Sequence, residues 1–148
     1  MNYDIRYGVM SDLGFIMSLE KDSLALPWPE ESIVHLLEEN DTGNAFSFAA
    51  VCPSVGYVGV TGVLDEAEIG NLVVSPECRG QGAGYAIMSF ALSELDKRGI
   101  KTIYLEVESV NDPALSLYRK LGFAEYGRRD SYYGAGRDAV LMKLVTAC

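Results

Sequence analysis

The feature that most constrains this chain is an apolar strand that runs into a glycine-rich turn and then into an amphipathic helix. Residues 67–74 have the strand pattern, residues 80–84 carry three alternating glycines, and residues 82–97 place apolar side chains at helical spacing. Such a unit indicates a layered α/β domain. Glycines in this position let a ligand approach the backbone, and a helix start offers amide N–H groups to an anion. A tight connection that binds nothing is the alternative, and the pattern leaves both open.

The rest of the chain also alternates between strand and helix patterns. Short turns between consecutive strands in the middle and at the end of the chain predict a mixed central sheet flanked by helices. No internal repeat or linker divides the sequence, so we expect a single domain over residues 1–148. The further predicted strands are 3–9, 45–52, 55–63, 102–108, 123–132 and 138–146, and the further predicted helices are 12–24, 29–37 and 111–121.

Composition narrows the classes of function. With 12 Lys and Arg against 21 Asp and Glu, the net charge of −9 disfavours nucleic acid and anionic membranes, and favours a cationic partner or simple solubility. No apolar run approaches the ~18 residues of a membrane span, and the start lacks a secretory layout, so we expect a cytoplasmic protein. The scattered Cys52, Cys78 and Cys148, with His35 as the one histidine, predict no metal site.

Two ordered motifs resemble the GCN5-related N-acetyltransferase (GNAT) family. Residues 79–84, Arg-Gly-Gln-Gly-Ala-Gly, are similar to its (Q/R)-x-x-G-x-(G/A) signature. Residues 111–123 are similar to its N-x-x-A-x-x-L-Y-x-K-x-G-F segment. The chain most resembles the RimI-type branch, the ribosomal-protein-alanine N-acetyltransferases. The resemblance implies a single-domain fold whose sheet is splayed between its fourth and fifth strands, with acetyl-CoA entering the gap and no metal.

The resemblance also implies which residues bind the coenzyme. Backbone amides of the glycine turn would hold the pyrophosphate, the strand before it would pair with the pantetheine arm, and Asn111 would contact the coenzyme besides capping a helix. The branch often has a cation after the last glycine, where this chain has Tyr85, so we expect weaker coenzyme binding that relies on Arg79 and backbone donors. The expected coenzyme-binding residues are Leu72, Val73, Val74, Arg79, Gly80, Gln81, Gly82, Ala83, Gly84, Tyr85 and Asn111.

Acetylation of an amine needs one group that takes a proton from the ammonium and another that gives a proton to the departing thiolate. The period of two in residues 102–108 puts Glu106 and Glu108 opposite the apolar side chains, where they equally suit a solvated face. The resemblance implies that Glu106 is the general base. Tyr118 by spacing is an ordinary packing aromatic, and the resemblance implies that it is the general acid.

The acceptor that the resemblance implies is the α-amino group of a basic protein N-terminus, such as the N-terminal alanine of a ribosomal protein. Trp28, Tyr132 and Tyr133 would then lie at the acceptor entrance, although a packed aromatic and a strand end explain them equally well. The short connection over residues 132–137 differs from the branch and affects the choice of acceptor. A small-amine acetyltransferase for a polyamine, an amino acid or an antibiotic is one alternative, and a non-catalytic acyl-CoA-binding module is another.

Overall fold

The computed structural model describes residues 3–24, 26–38 and 44–146. Within these ranges the chain alternates between strands and helices, as the sequence pattern predicts. Short 3-10 turns precede α1 and follow β4. The elements are β1 (Arg6–Tyr7), α1 (Leu13–Ser23), α2 (Glu30–Leu37), β2 (Ala45–Cys52), β3 (Gly56–Val63), β4 (Glu66–Val74), α3 (Ala83–Lys97), β5 (Thr102–Glu108), α4 (Asp112–Lys120), β6 (Ala124–Arg129) and β7 (Ala139–Val145).

The strands form one seven-stranded mixed sheet in the order β1-β2-β3-β4-β5-β7-β6. Its one parallel pair is β4 with β5, and the other pairs are antiparallel. β4 and β5 pair only over their first three residues, from Glu66 opposite Thr102 to Glu68 opposite Tyr104. Beyond that point the two strands part, which confirms the predicted splay between the fourth and fifth strands.

Helices cover the sheet on both faces. On one face, Ile16 of α1 and Ile33 of α2 pack with Val51 and Tyr57 of the sheet. On the other face, α3 and α4 bury apolar side chains against all strands from β2 to β7 except β6. No described helix is long and apolar enough to cross a membrane.

Two predicted strands are shorter than expected. The strand predicted at 3–9 is reduced to β1, because the Asp12 carboxylate accepts the Val9 N–H at 2.8 Å and two bonds from Arg6 at 2.8 and 2.9 Å. Asp12 therefore closes a 3-10 turn and makes no side-chain cap on α1. The strand predicted at 123–132 ends at Arg129, since Ser131 has a left-handed φ of 53° and starts a tight turn.

The two described cysteines lie in different elements. Cys52 is buried at the end of β2, and Cys78 is half-buried in the 3-10 turn after β4. Cys148 lies outside the described residues. Among the described residues, no group of three His, Cys, Asp or Glu side chains has an arrangement that could hold a metal ion.

Candidate active site

A cleft of about 770 Å³ lies beside the end of β4. Its walls are the last residues of β4, the glycine turn, the first turn of α3 and one side of α4. The structure thus brings ten of the eleven predicted coenzyme residues to one cavity, and Gln81 is the exception. The ten are Leu72, Val73, Val74, Arg79, Gly80, Gly82, Ala83, Gly84, Tyr85 and Asn111.

The three glycines of the turn have different physical roles. Gly80 and Gly82 have φ values of 74° and 83°, a left-handed conformation that costs little only for glycine. Gly84 is in the helix, where an added Cβ would lie 3.3 Å from Leu117 Cδ2 of α4. Two glycines therefore shape the backbone at the mouth of the cleft, and the third lets α3 approach α4.

Side-chain hydrogen bonds hold the turn in place. Arg79 Nε donates to the Val74 carbonyl at 3.1 Å, and Gln81 Nε2 donates to the Glu77 carbonyl at 3.2 Å. The Tyr3 hydroxyl donates to the Gln81 carbonyl at 2.7 Å. The Gln81 side chain is thereby engaged away from the cleft.

The start of α3 presents N–H groups to the cleft. The first four N–H groups of an α-helix have no acceptor within the helix, and they carry the positive end of its dipole. Ala83, Gly84 and Tyr85 belong to this first turn, and all three line the cleft. An anion such as a phosphate fits this position.

Asn111 caps α4, as predicted. Its Oδ1 accepts the Ala114 N–H at 3.2 Å. Pro113 is within the first two helical positions, where a missing N–H leaves no bond unmade. Because the cap uses Oδ1, the Nδ2 donor is the part of Asn111 that can still serve a ligand in the cleft.

The two carboxylates of β5 lie on its less buried face. Ile103, Leu105 and Val107 are buried, in agreement with the predicted alternation. The Glu106 side chain is 29% exposed, and its Oε1 lies 3.1 Å from Arg129 Nη1. Glu108 accepts a hydrogen bond from Arg137, which lowers the pKa of this carboxyl.

Tyr118 is on the helix that forms one wall of the cleft, but its ring packs in the core. The ring is 7% exposed and meets Phe123 edge-on at 5.9 Å, so the packing role favoured by the sequence is real. Burial, assisted by the charge of Tyr133, raises the pKa of Tyr118 to about 12. No described residue forms a hydrogen bond with its hydroxyl, so the phenol is protonated at neutral pH and its proton is unengaged.

The Tyr133 phenol is close enough to Glu106 and to Tyr118 for electrostatic interaction with each of them. Burial raises the pKa of Tyr133, and the charges of Glu106 and Glu108 raise it further. Arg129 lies over the Tyr132 ring at 5.5 Å while it pairs with Glu106. Sequence reasoning missed Arg129 as a partner of Glu106, because only the pairing of β5 with β7 and of β7 with β6 brings the two together.

Trp28 lies on the other face of the sheet and lines a separate groove next to α2. Its ring rests on two glycines, since a Cβ on Gly70 would lie 2.5 Å from Trp28 Cη2 and one on Gly59 would lie 3.7 Å from Cζ3. The structure therefore does not bring Trp28 to the cleft beside the glycine turn. These contacts agree with the interpretation of Trp28 as a packed aromatic side chain.

A buried carboxylate that sequence reasoning missed fixes Trp28. Glu20 is fully buried in α1. Its carboxylate accepts hydrogen bonds from the backbone N–H of Trp28 at 2.8 Å and from the Tyr57 hydroxyl at 2.5 Å. Asn71 Nδ2 donates to the same carboxylate at 3.0 Å. The one sign of this carboxylate in the sequence is that Glu20 lies four residues after Ile16 and next to Leu19, on the apolar face of α1. These bonds tie α1, β3, β4 and the loop before α2 to one point.

Comparison with known proteins identifies relatives across almost the whole chain. The model of the family described as acetyltransferase (GNAT) matches residues 13–123. The Escherichia coli protein named ribosomal protein bS18-alanine N-acetyltransferase is 34% identical over 146 residues, which cover 90% of this chain and 91% of that protein.

Solved structures agree with this sequence match. The crystal structure of the ribosomal-protein-S18-alanine N-acetyltransferase from Escherichia coli superposes with a TM-score of 0.84 at 30% identity, over 99% of this chain and 96% of that one. Arabidopsis thaliana NAA60 in complex with acetyl-CoA has a TM-score of 0.80 at 20% identity, over 97% of this chain and 98% of that one. At that identity the second match shows a shared fold.

Replacing Gly82 tests whether the turn conformation serves binding. An alanine in the left-handed region costs about 1–2 kcal/mol, so we expect Gly82→Ala to weaken acetyl-CoA binding about tenfold in isothermal titration calorimetry. Gly14→Ala is the control, because Gly14 is helical and nothing lies within 4 Å of an added Cβ. Unchanged affinity in Gly82→Ala would contradict a role for this conformation.

The raised pKa of Tyr118 predicts a loss of stability at high pH. An unfolded tyrosine titrates near pH 10, so between pH 10 and 12 the unfolded chain releases a proton that the folded chain keeps, and stability falls as the pH rises. From about pH 9.5 to 11.5, the free energy of unfolding should fall by about 2 kcal/mol more in the wild type than in Tyr118→Phe. Urea denaturation at each pH measures this difference, and parallel losses in the two proteins would refute it.

Proposed function

The chain belongs to the GNAT family and is an acetyl-CoA-dependent acyltransferase, and from this premise we propose that it acetylates the α-amino group of a protein N-terminus. The proposed acceptor is the N-terminal alanine of a ribosomal protein, which places the enzyme in the cytoplasm where such proteins are made. The observation that carries this proposal is the 34% identity with the Escherichia coli enzyme of that name over nine-tenths of both chains. The acceptor is a deduction from that relative.

The open edge of β4 supports the proposed binding of the donor. Beyond Glu68 this edge has no pairing with β5, and Leu72, Val73 and Val74 line the cleft. The amide groups of a pantetheine arm can pair with such an edge as an added strand. At the end of the strand, the glycine turn and the start of α3 would receive the pyrophosphate. Asn111 would donate from Nδ2 on the opposite wall.

The proposed reaction is a direct attack without an acyl-enzyme. Glu106 takes a proton from the acceptor ammonium, directly or through a water, and the neutral nitrogen then attacks the thioester carbonyl carbon. The tetrahedral intermediate collapses as the C–S bond breaks, and the electron pair leaves with the sulfur. The nitrogen, which gained a positive charge in the attack, releases its second proton to solvent, so the product is a neutral amide. A backbone N–H of β4 would stabilise the oxyanion.

Tyr118 is proposed to deliver the proton to the departing sulfur. Burial keeps this phenol protonated at neutral pH, and no described residue competes for its proton. The same dry surroundings disfavour a bare thiolate, so a hydrogen bond from the phenol is worth most as the sulfur gains charge. The phenol afterwards regains a proton from solvent.

Aromatic residues are proposed to line the acceptor side. Tyr132 and Tyr133 are 54% and 40% exposed, so a peptide can contact both side chains from solvent. Trp28 would shape the entrance from the loop that Glu20 fixes. These three residues form the proposed acceptor site together with Glu106.

Removal of either proton carrier should lower turnover far more than coenzyme affinity. For Glu106→Gln and for Tyr118→Phe, we expect kcat to fall by about 10²–10⁴-fold while the Kd of acetyl-CoA stays within about twofold. Glu108→Gln is the matched control on the same face of β5 and should keep most of the activity. Full acetylation rates in Glu106→Gln or Tyr118→Phe would overturn the assigned roles.

The acceptor class can be decided by competition among amines. We expect a basic peptide that begins with alanine to be acetylated at its α-amino group, far faster than a polyamine, a free amino acid or an aminoglycoside. Mass spectrometry locates the acetyl group, and a peptide with a blocked N-terminus and internal lysines is the control. Acetylation of lysine side chains or small amines alone would refute the proposed acceptor. Binding of acetyl-CoA without turnover on any amine would indicate a non-catalytic module.

A further inference from the structure

Lys120 brings a positive charge to the glycine turn from a different element. It is the last residue of α4 and lines the cleft together with Tyr85 of α3. Its Nζ lies 5.0 Å from the centroid of the Tyr85 ring, a cation–π contact. Tyr85 directly follows Gly84, so the contact puts the ammonium beside the position where the sequence lacks a cation.

The structure assigns to Lys120 a role in the proposed coenzyme site: we propose that its ammonium binds a phosphate group of the coenzyme, supported by the Tyr85 ring. This inference rests on the proposed function, since it names a further ligand residue for the same donor. Lysine binds phosphate as a point charge, and a flexible stem that is already held over a ring loses less freedom when the anion arrives.

The charge around the cleft supports this assignment. The chain has a net charge of −9, yet the charged residues that line the cleft are Arg79 and Lys120, and both are basic. A cavity whose charged lining residues are both cations favours an anionic ligand, even in an acidic protein. Arg79 Nε already donates a hydrogen bond to the Val74 carbonyl. Lys120 adds a second cation, and its ammonium binds no backbone carbonyl of the described residues.

The Tyr85 ring is the one partner that the described residues give the Lys120 ammonium. Within the part of the chain that the structure describes, no carboxylate lies within ion-pair distance of Lys120. The neighbouring ring of Tyr85 is 42% exposed, so both groups face solvent at the cleft. An unpaired cation at this place is available to a phosphate.

The test is the affinity for acetyl-CoA of Lys120→Met, which removes the charge and keeps an apolar stem. We expect its Kd to rise about tenfold or more, and its affinity to depend less on salt than that of the wild type. The matched control is Lys143→Met, because Lys143 also lies over a tyrosine ring, that of Tyr126 at 5.4 Å, but does not line the cleft. Its Kd should stay within about twofold of the wild type.

A relocated charge provides a second readout. Adding Tyr85→Arg to Lys120→Met restores a cation next to the last glycine, and it should recover most of the lost affinity. Recovery would show that charge at this place, and not the packing of α4, is responsible. A double variant that binds as weakly as Lys120→Met would overturn the proposal.

Comparison of CoA with 3′-dephospho-CoA identifies the phosphate. If Lys120→Met weakens both ligands equally, Lys120 binds the pyrophosphate, and if only CoA is affected, it binds the 3′-phosphate. Either result supports the assignment. Wild-type affinity for both ligands in Lys120→Met would overturn it while leaving the proposed function intact. A wild-type protein that binds no acetyl-CoA would refute the proposed function itself.

Discussion

The site depends on the early separation of β4 from β5. Each strand pairs along its outer edge, β5 with β7 over its whole length and β4 with β3 from end to end except at an irregularity between Val58 and Val60. The ladder between β4 and β5 stops after three pairs. Backbone groups along an unpaired edge need hydrogen-bond partners. In this protein the edge of β4 is the wall of a cleft, so a ligand with amide groups of its own can complete the sheet. A sheet paired over its whole length would have no such place.

The two faces of the sheet carry different parts of the site. The glycine turn, Asn111 and Lys120 meet around the cleft, where α3 and α4 contribute amide groups and charge suited to an anion. Trp28 lies on the opposite face, where the buried Glu20 fixes its backbone. In acetyl transfer, the acceptor amine must reach the thioester carbonyl carbon of the bound donor from a direction that the donor leaves open. In the proposed function, the donor binds at the cleft and the acceptor reaches the splay from the face that carries Trp28.

The proposed proton carriers lie in contrasting surroundings. Glu106 is partly exposed, and its Oε1 lies 3.1 Å from Arg129 Nη1. Tyr118 is buried and without a described hydrogen-bond partner, which favours its protonated form. An acid should begin with its proton, so the surroundings of Tyr118 suit its proposed role. Tyr133, which is close enough to both for their charges to interact, belongs to the connection between β6 and β7.

The sequence by itself determined the features that depend on near neighbours along the chain. The alternation of β5 and the Asn111 cap are local, because periodicity and capping act over a few residues. The resemblance of two motifs supplied the family and the splay. Only the tertiary structure decided that Arg129 pairs with Glu106, that Lys120 lies over Tyr85 and that Glu20 accepts a hydrogen bond from Tyr57. These contacts join elements that are distant in sequence, and which side chains meet is set by strand order and helix packing, which no local pattern encodes.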